Sequence, residues 1–240
     1  MESNFLPTHS SSLVCPNLRC LQINLHHSKL VSANLSQLVP DLSIDIVLIQ
    51  EPYAISGPSP TLANVPPRYA AFHALSSDHA YGATILLRQT IADSGRVKLM
   101  HRANHSECIE VSSRFGTYRF MSLYLRSSLV NFCDSLNELF TELASPCSIF
   151  GIDANAKSLL WNSNRTDPKG VDLESLVLMH KLNFINVNKQ HLEFIPGGTC
   201  FVDVTLAGDL VKMPRWLFLP FASPSDHPFL YFEVESKTAL

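Results

Sequence analysis

The chain has 240 residues, 46% of them hydrophobic and 16% charged, with a formal net charge of −3. That length and apolar content fit one globular domain with a sizeable core. No run approaches the ~20 apolar residues needed to span a bilayer, so no membrane association is expected. The opening residues are Ser-rich without a basic-then-apolar design, so an intracellular protein is expected. An acidic total excludes a general basic coat, so any face for nucleic acid must be local and assisted by a metal ion. The six cysteines, Cys15, Cys20, Cys108, Cys133, Cys147 and Cys200, form no Cys-x-x-Cys pair and read as buried thiols.

Residues 1–17 read as a flexible leader. LRCLQIN (Leu18–Asn24) alternates enough for a strand. SKLVSANLSQLVP then places Val31, Leu35, Leu38 and Val39 at helical spacing, with Pro40 closing the pattern. IDIVLIQ (Ile44–Gln50) is a β-branched run typical of a strand buried on both faces. Residues 52–67 hold five prolines and read as a long loop. ATILLR, CIEVSSRF and TYRFMSLYL read as strands, the last two joined by a turn near Gly116. Ser127 or Ser128 is a candidate cap for a helix with Phe132, Leu136, Leu139, Phe140 and Leu143 on one face. CSIFGID (Cys147–Asp153) is a further strand, and Val171 or Asp172 opens a helix through His180. NFINV, LEFI, CFVDVTL, WLFLP and PFLYFEV make the remainder strand-rich. Strands dominate and helices do not follow each one, which predicts two packed sheets with helices outside.

Polar groups stand at the ends of these apolar strands, where rigid scaffolds commonly build sites. They are Asn24, Glu51, Tyr124, Asp153 with Asn155, and Asp226-His227 in SPSDHP. Asp203 lies inside CFVDVTL, where a carboxylate is costly to bury without a partner. Each has a plainer reading, as a strand stop at Glu51-Pro52, a solvated turn at Asp153–Asn155, or an Asx turn before Pro228. Together they point to chemistry. Hard oxygens at Glu51 and Asp226 suit Mg²⁺. A buried carboxylate that holds a histidine fixes its tautomer and stabilises its protonated form. Asp153 and Asn155 share a face if the strand continues, one to handle a water proton and the other to orient a phosphate oxygen or its partner acid. His26-His27 lacks zinc spacing. Arg96, Lys98, His101, Arg102 and His105 either track DNA phosphates or lie in a solvated loop.

The ordered series QIN, IVLIQEP, SLYL, FGIDANAKSLLW, FVDVTL and SDHP resembles the endonuclease/exonuclease/phosphatase superfamily, which includes apurinic/apyrimidinic endonucleases and DNase I. LIQEP, DANAKSLLW with Asn162 soon after, Lys169-Gly170 ahead of a helix, and VDVTL leading to SDH are most similar to the apurinic/apyrimidinic-like endonuclease domain of non-LTR retrotransposons. The match covers residues 18–235, with 236–240 as a tail. It implies an α/β fold, a DNase I-like four-layer α/β sandwich of two packed mixed β-sheets flanked by helices. It implies a DNA endonuclease that uses Mg²⁺, or Mn²⁺ in its place, and leaves a 5′-phosphate and a 3′-hydroxyl that primes reverse transcription. By the same resemblance Asn24 and Glu51 approach the metal, Glu51 as a ligand and Asp226 as a second acidic contact. Tyr124 contacts the scissile phosphate. Asp153, supported by Asn155, activates water or protonates the leaving group. Asp203 orients His227, which acts on the phosphate or as a base.

Arg165 and Lys169 are expected at DNA phosphates, and Gly197, Gly198 and Thr199, in a hairpin over Glu193–Cys200, at the groove. The partners implied are double-stranded DNA and, in the full element, a reverse transcriptase on the same polyprotein, acting in the nucleus. No reverse-transcriptase segment follows, so an excised domain or incomplete product is expected. The first strand lacks the tryptophan common in abasic-site enzymes, so abasic-site recognition is not expected. A phosphatase of the same superfamily and an inert nucleic-acid-binding copy are the alternatives.

Overall fold

The structure is a computed structural model that describes residues 17–76, 82–113, 116–186, 201–220 and 223–235. Two six-stranded sheets pack face to face. The first runs in the order β13 (Arg215–Phe218), β14 (Leu230–Val234), β1 (Leu18–Asn24), β2 (Ile46–Gln50), β6 (Ala83–Arg88) and β5 (Tyr69–His73). The second runs β11 (Leu182–Phe184), β12 (Asp203–Gly208), β10 (Ser148–Asp153), β9 (Gly116–Tyr124), β8 (Ser106–Ser113) and β7 (Val97–Ala103). Among the described residues, the only parallel pair in each sheet is the central one, β1 with β2 and β9 with β10. The expected four-layer sandwich is therefore present, and its two sheets repeat one plan.

Alternation along the strands divides the core into three. Between the sheets lie Cys20, Ile46, Leu48, Ile85, Ile109, Phe120, Ile149 and Phe232. The opposite faces of β1 and β2 send Leu21, Ile23, Val47 and Ile49 against helix α1 (Lys29–Asp41) through Val31, Leu35 and Val39. In the second sheet Met121, Leu123, Phe150, Ile152, Val204 and Leu206 meet α3 (Phe132–Leu143) and α4 (Pro168–Met179). The short α2 (Gln89–Ala92) follows β6. Leu48 is wholly buried in the middle layer, so Leu→Ala there falls in the costly range of about 2–5 kcal/mol. Among the described residues no helix is long and apolar enough to cross a membrane.

Several boundaries differ from the sequence reading. Ser28 caps α1 as its hydroxyl accepts from Val31 N, but the helix runs through Pro40 to Asp41. Proline removes one intrahelical hydrogen bond there, and the turn still closes through Leu42 N to Leu38 O at 3.0 Å. Asn131, not Ser127 or Ser128, precedes α3. Asp167 caps α4, so Lys169 and Gly170 lie inside its first turn and Val171 and Asp172 do not open it. Pro168 there supplies a fixed φ where its missing N–H costs nothing. The 52–67 loop contains a two-stranded hairpin, β3 (Ala54–Ile55) with β4 (Thr61–Leu62). Most of the basic stretch forms edge strand β7 and is not a loop, with Arg96 and Lys98 exposed beside and along it. Arg102 there grips the buried Glu107 with contacts of 2.7, 3.0 and 3.2 Å.

Candidate active site

The strand register brings the polar ends together. Asp153 closes β10 with Tyr124 of β9 on one flank and Asp203 of β12 on the other. Asn24 ends β1 beside Gln50 of β2, and Glu51 follows at once. Asn24 bridges the sheets, its Nδ2 donating to Asp153 Oδ2 at 2.7 Å and to Glu51 Oε2 at 3.0 Å. Its Oδ1 accepts from His26 N at 2.7 Å, which fixes the orientation of the amide. Chain reversals follow these strand ends. Glu51, His26, His27 and Asn155 take φ of 46°, 47°, 52° and 44°, a region that asparagine tolerates and most side chains resist. Strained backbone of this kind concentrates at functional sites.

The acids sit in different environments. Burial pushes the Glu51 carboxyl up, but hydrogen bonds from His27, Tyr124 and Asn24 outweigh it and hold the group down at about 2. Burial together with the Glu51 charge pushes the Tyr124 hydroxyl up. Asp153 shifts the other way. Nearly complete burial and the neighbouring Asp203 charge raise it well above the usual carboxylate range, against the pull of His227, Asn24 and the Asn155 amide. Asn155 N donates to Asp153 Oδ1 at 3.2 Å, and its side chain is anchored to Leu125 O at 3.0 Å. Asn155 is thus hydrogen-bonded to the Asp153 carboxylate through its backbone N–H.

His227 Nδ1 lies 2.7 Å from Asp203 Oδ2. Burial alone would lower the imidazolium, but the charge and hydrogen bond of Asp203 lift it to about 10. The dyad expected from the sequence is thus formed, with Nδ1–H donating and the ring cationic at neutral pH. Asp203 Oδ1 is buried without a hydrogen-bond partner. Ser225 Oγ donates to Asn24 O at 3.1 Å and accepts from His227 N at 3.2 Å, clipping the histidine loop onto β1. Asp226 stands at the rim, 70% exposed, with Oδ1 3.4 Å from His26 Nδ1 and 3.8 Å from His227 Nε2. An open cleft of about 260 Å³ is lined by Asn155, Lys157, Phe201, Asp203, Asp226 and His227.

Among the described residues, one cluster offers three metal-type donors within 4.8 Å of one another: Asp153, Asp203 and His227. That set differs from Glu51 and Asp226. Within it, His227 Nδ1 is engaged by Asp203 Oδ2, a pairing that suits proton and phosphate chemistry. Glu51 has the ionised, partly exposed oxygens that a hard cation requires.

The Lys169 ammonium is engaged by backbone carbonyls of the β9–α3 connection. Its Nζ donates to Ser127 O at 2.6 Å and Arg126 O at 3.5 Å, and it stands 5.4 Å above the Phe132 ring. Arg165 is exposed. Gly197, Gly198 and Thr199, with the rest of the 193–200 segment, lie outside the described residues. Sequence reasoning did not place Lys157, His27 or Ser225. Lys157 carried a signal as the basic residue of DANAKS, two positions after Asn155. His27 becomes relevant only once the fold sets its Nε2 3.1 Å from Glu51 Oε1.

Residues 118–231 match the family model described as endonuclease-reverse transcriptase. No curated protein matches the chain. Among solved structures, the endonuclease domain of TRAS1, a telomere-specific non-LTR retrotransposon, superposes with a TM-score of 0.76 at 22% identity, covering 93% of this chain and all of that one. TDP2 of D. rerio, complexed with a single-strand DNA product, gives 0.61 at 14% identity over 91% of this chain and 98% of that one. A mannosyl-6-phosphatase of Bacteroides thetaiotaomicron gives 0.61 at 12% identity over 90% and 99%. The resemblance read from the sequence and the DNase I-like fold are both borne out.

Proposed function

We propose that this chain, a DNase I-like fold whose residues 118–231 match the endonuclease-reverse transcriptase family, is a divalent-metal-dependent DNA endonuclease. The observation that carries the reading is the Asn24 bridge, which sets the ionised Glu51 beside the high-pKa Asp153 and the Asp203–His227 dyad. These residues fit a hard cation, with Glu51 as its ligand and Asn24 holding that carboxylate in place. Mg²⁺, or Mn²⁺ in its place, would supply positive charge to a phosphate oxygen and to the departing 3′-oxygen.

The chain's own groups divide the remaining work. Asp153 takes a proton from the attacking water, a role its raised pKa suits near neutral pH. The water oxygen bonds to phosphorus, the bond from phosphorus to the 3′-oxygen breaks, and the 3′-oxygen takes up a proton from solvent, while Asp153 later returns its proton to solvent. Products are a 5′-phosphate and a 3′-hydroxyl. His227, kept cationic by Asp203, presents Nε2–H to the phosphate and acts there in preference to serving as a base. Tyr124 orients Glu51 through its hydroxyl and can meet the phosphate from the same side. Lys157 and the exposed Arg165 are the cations available to flanking phosphates, and Gly197–Thr199 remains the candidate groove contact. Within a longer polyprotein that includes a reverse transcriptase, acting in the nucleus, the 3′-hydroxyl would prime DNA synthesis.

The test is nicking of supercoiled plasmid with and without Mg²⁺. Wild type should nick only with the cation, and Glu51→Ala should lose about 100-fold or more, the scale for removing one strong charge-stabilising group. Nicking by Glu51→Ala at the wild-type rate would overturn the metal assignment. Hydrolysis of phosphate monoesters with plasmid left intact would favour a phosphatase.

A further inference from the structure

A second polar layer lies directly beneath the site, between the sheets. Gln22 precedes Asn24 by two residues on β1, and Gln50 is the last residue of β2, immediately before Glu51. Both are fully buried. Each crosses to the opposite sheet. Gln50 Nε2 donates to Ser122 Oγ of β9 and to Gly151 O of β10, both at 3.0 Å. Gln22 Nε2 reaches Ile152 O at 3.3 Å and Val204 O at 3.4 Å, in the strands that carry Asp153 and Asp203. Its Oε1 accepts from Thr205 Oγ1 at 3.0 Å, and that hydroxyl accepts from Trp216 Nε1 at 3.0 Å. Gly151 makes the approach feasible, because a Cβ there would stand 2.8 Å from Leu48 Cδ1 and 3.1 Å from the Gln22 amide.

Apolar residues of the same volume would fill this layer without desolvating two amides, one oxygen of which, Gln50 Oε1, has no partner. Apolar contact is non-directional, however, and tolerates sliding of one sheet over the other. Hydrogen bonds weaken steeply with misalignment. The site above needs a fixed offset, since Asn24 and Glu51 come from one sheet and Asp153 and Asp203 from the other. We propose that Gln22 and Gln50 are positioning residues that set the offset between the sheets and so hold Asn24 and Glu51 against Asp153 and Asp203. The kinetic part of its test rests on the endonuclease reading.

Gln22→Met and Gln50→Met keep the volume and remove the donors. The reporter is the side-chain amide of Asn24, followed by ¹⁵N NMR, because its protons are held by Glu51 and Asp153. Each variant should stay folded, and its Asn24 amide should exchange with solvent about tenfold faster or more. Nicking kcat should fall about tenfold or more at unchanged KM, as expected for misplacement of reacting groups. Asn24 exchange and kcat both at wild-type values in folded variants would overturn the proposal. Should the methionine variants not fold, Thr205→Val carries the same test. It keeps the side-chain shape and removes only the hydroxyl that Gln22 Oε1 accepts from, and it should speed Asn24 exchange. Absence of nicking by the wild type would remove the endonuclease reading, and Asn24 exchange would still decide the positioning role.

Discussion

His227 and Asp203 act through one hydrogen bond of 2.7 Å, so their contributions to rate should not multiply. Alanine at both positions should therefore cost little more than His227→Ala alone in single-turnover nicking. Fully multiplicative losses would assign Asp203 a separate structural role. Asp153 carries a second consequence. Its folded pKa lies above the ordinary carboxylate value near 4. The folded state thus binds a proton that the unfolded chain releases, and the stability this contributes is present below about pH 4 and lost as pH rises through the folded value. With chelator present, the thermal midpoint should fall as pH is raised toward neutrality. Asp153→Asn should flatten that fall and raise the midpoint at pH 8 by about 2–4 °C for each kcal/mol recovered, while abolishing nicking. Equal midpoints for the two proteins across this range would show that the charge is not costly in the fold.

At the scale of elements, the start of α4 is the joint that ties the scaffold to the cleft. Asp167 accepts from Gly170 N at 2.8 Å, and a Cβ on Gly170 would stand 2.0 Å from Lys157 O. Asp167→Ala should cost about 1 kcal/mol in urea unfolding, the usual value of such a cap, with nicking nearly unchanged. Gly170→Ala should cost more and also slow nicking, because the backbone at Lys157 must move and with it the segment after Asn155. A Gly170→Ala protein as stable and active as wild type would show that this close contact is freely relaxed. Lys169 belongs to the same joint. Its ammonium braces the carbonyls of Arg126 and Ser127, which connect β9 to α3.

For the whole molecule, a net charge of −3 means that DNA must be met by few cations against a repulsive background. Binding should weaken with salt with a shallow slope, near −0.9 for each neutralised phosphate. Lys157→Gln and Arg165→Gln should each reduce that slope by about one contact, whereas Lys169→Ala should leave it unchanged and lower stability. A slope that drops with Lys169→Ala would return that residue to the DNA face. The fold makes so sparse a surface workable. Two sheets of matching plan bring the ends of four central strands to one rim, and the chemistry is concentrated where they meet.

The central strands, the helix faces and the polar groups at strand ends could all be read along the chain, because period-two burial and apolar runs are local properties. Strands β1 and β6 begin and end where their apolar pattern does. Edge strands β5 and β7 could not be read this way. They are half-buried or exposed along their length and are held by pairing with β6 and β8, which leaves no apolar run. The helix starts at Ser28, Asn131 and Asp167 were not read as caps from the sequence, because tertiary contact decides where each helix begins. The sequence alone put Asn24 and Asp153 at strand ends, Glu51 just after a strand and His227 shortly before one, while Asp203, expected inside a strand, opens β12. Only the tertiary structure decided that Asn24 spans to Asp153, that His227 is kept cationic, that Lys169 braces a loop, and that two glutamines join the sheets beneath. Those outcomes depend on partners up to 183 residues apart, and on burial that sets the charge of each group, and neither is encoded in any single segment.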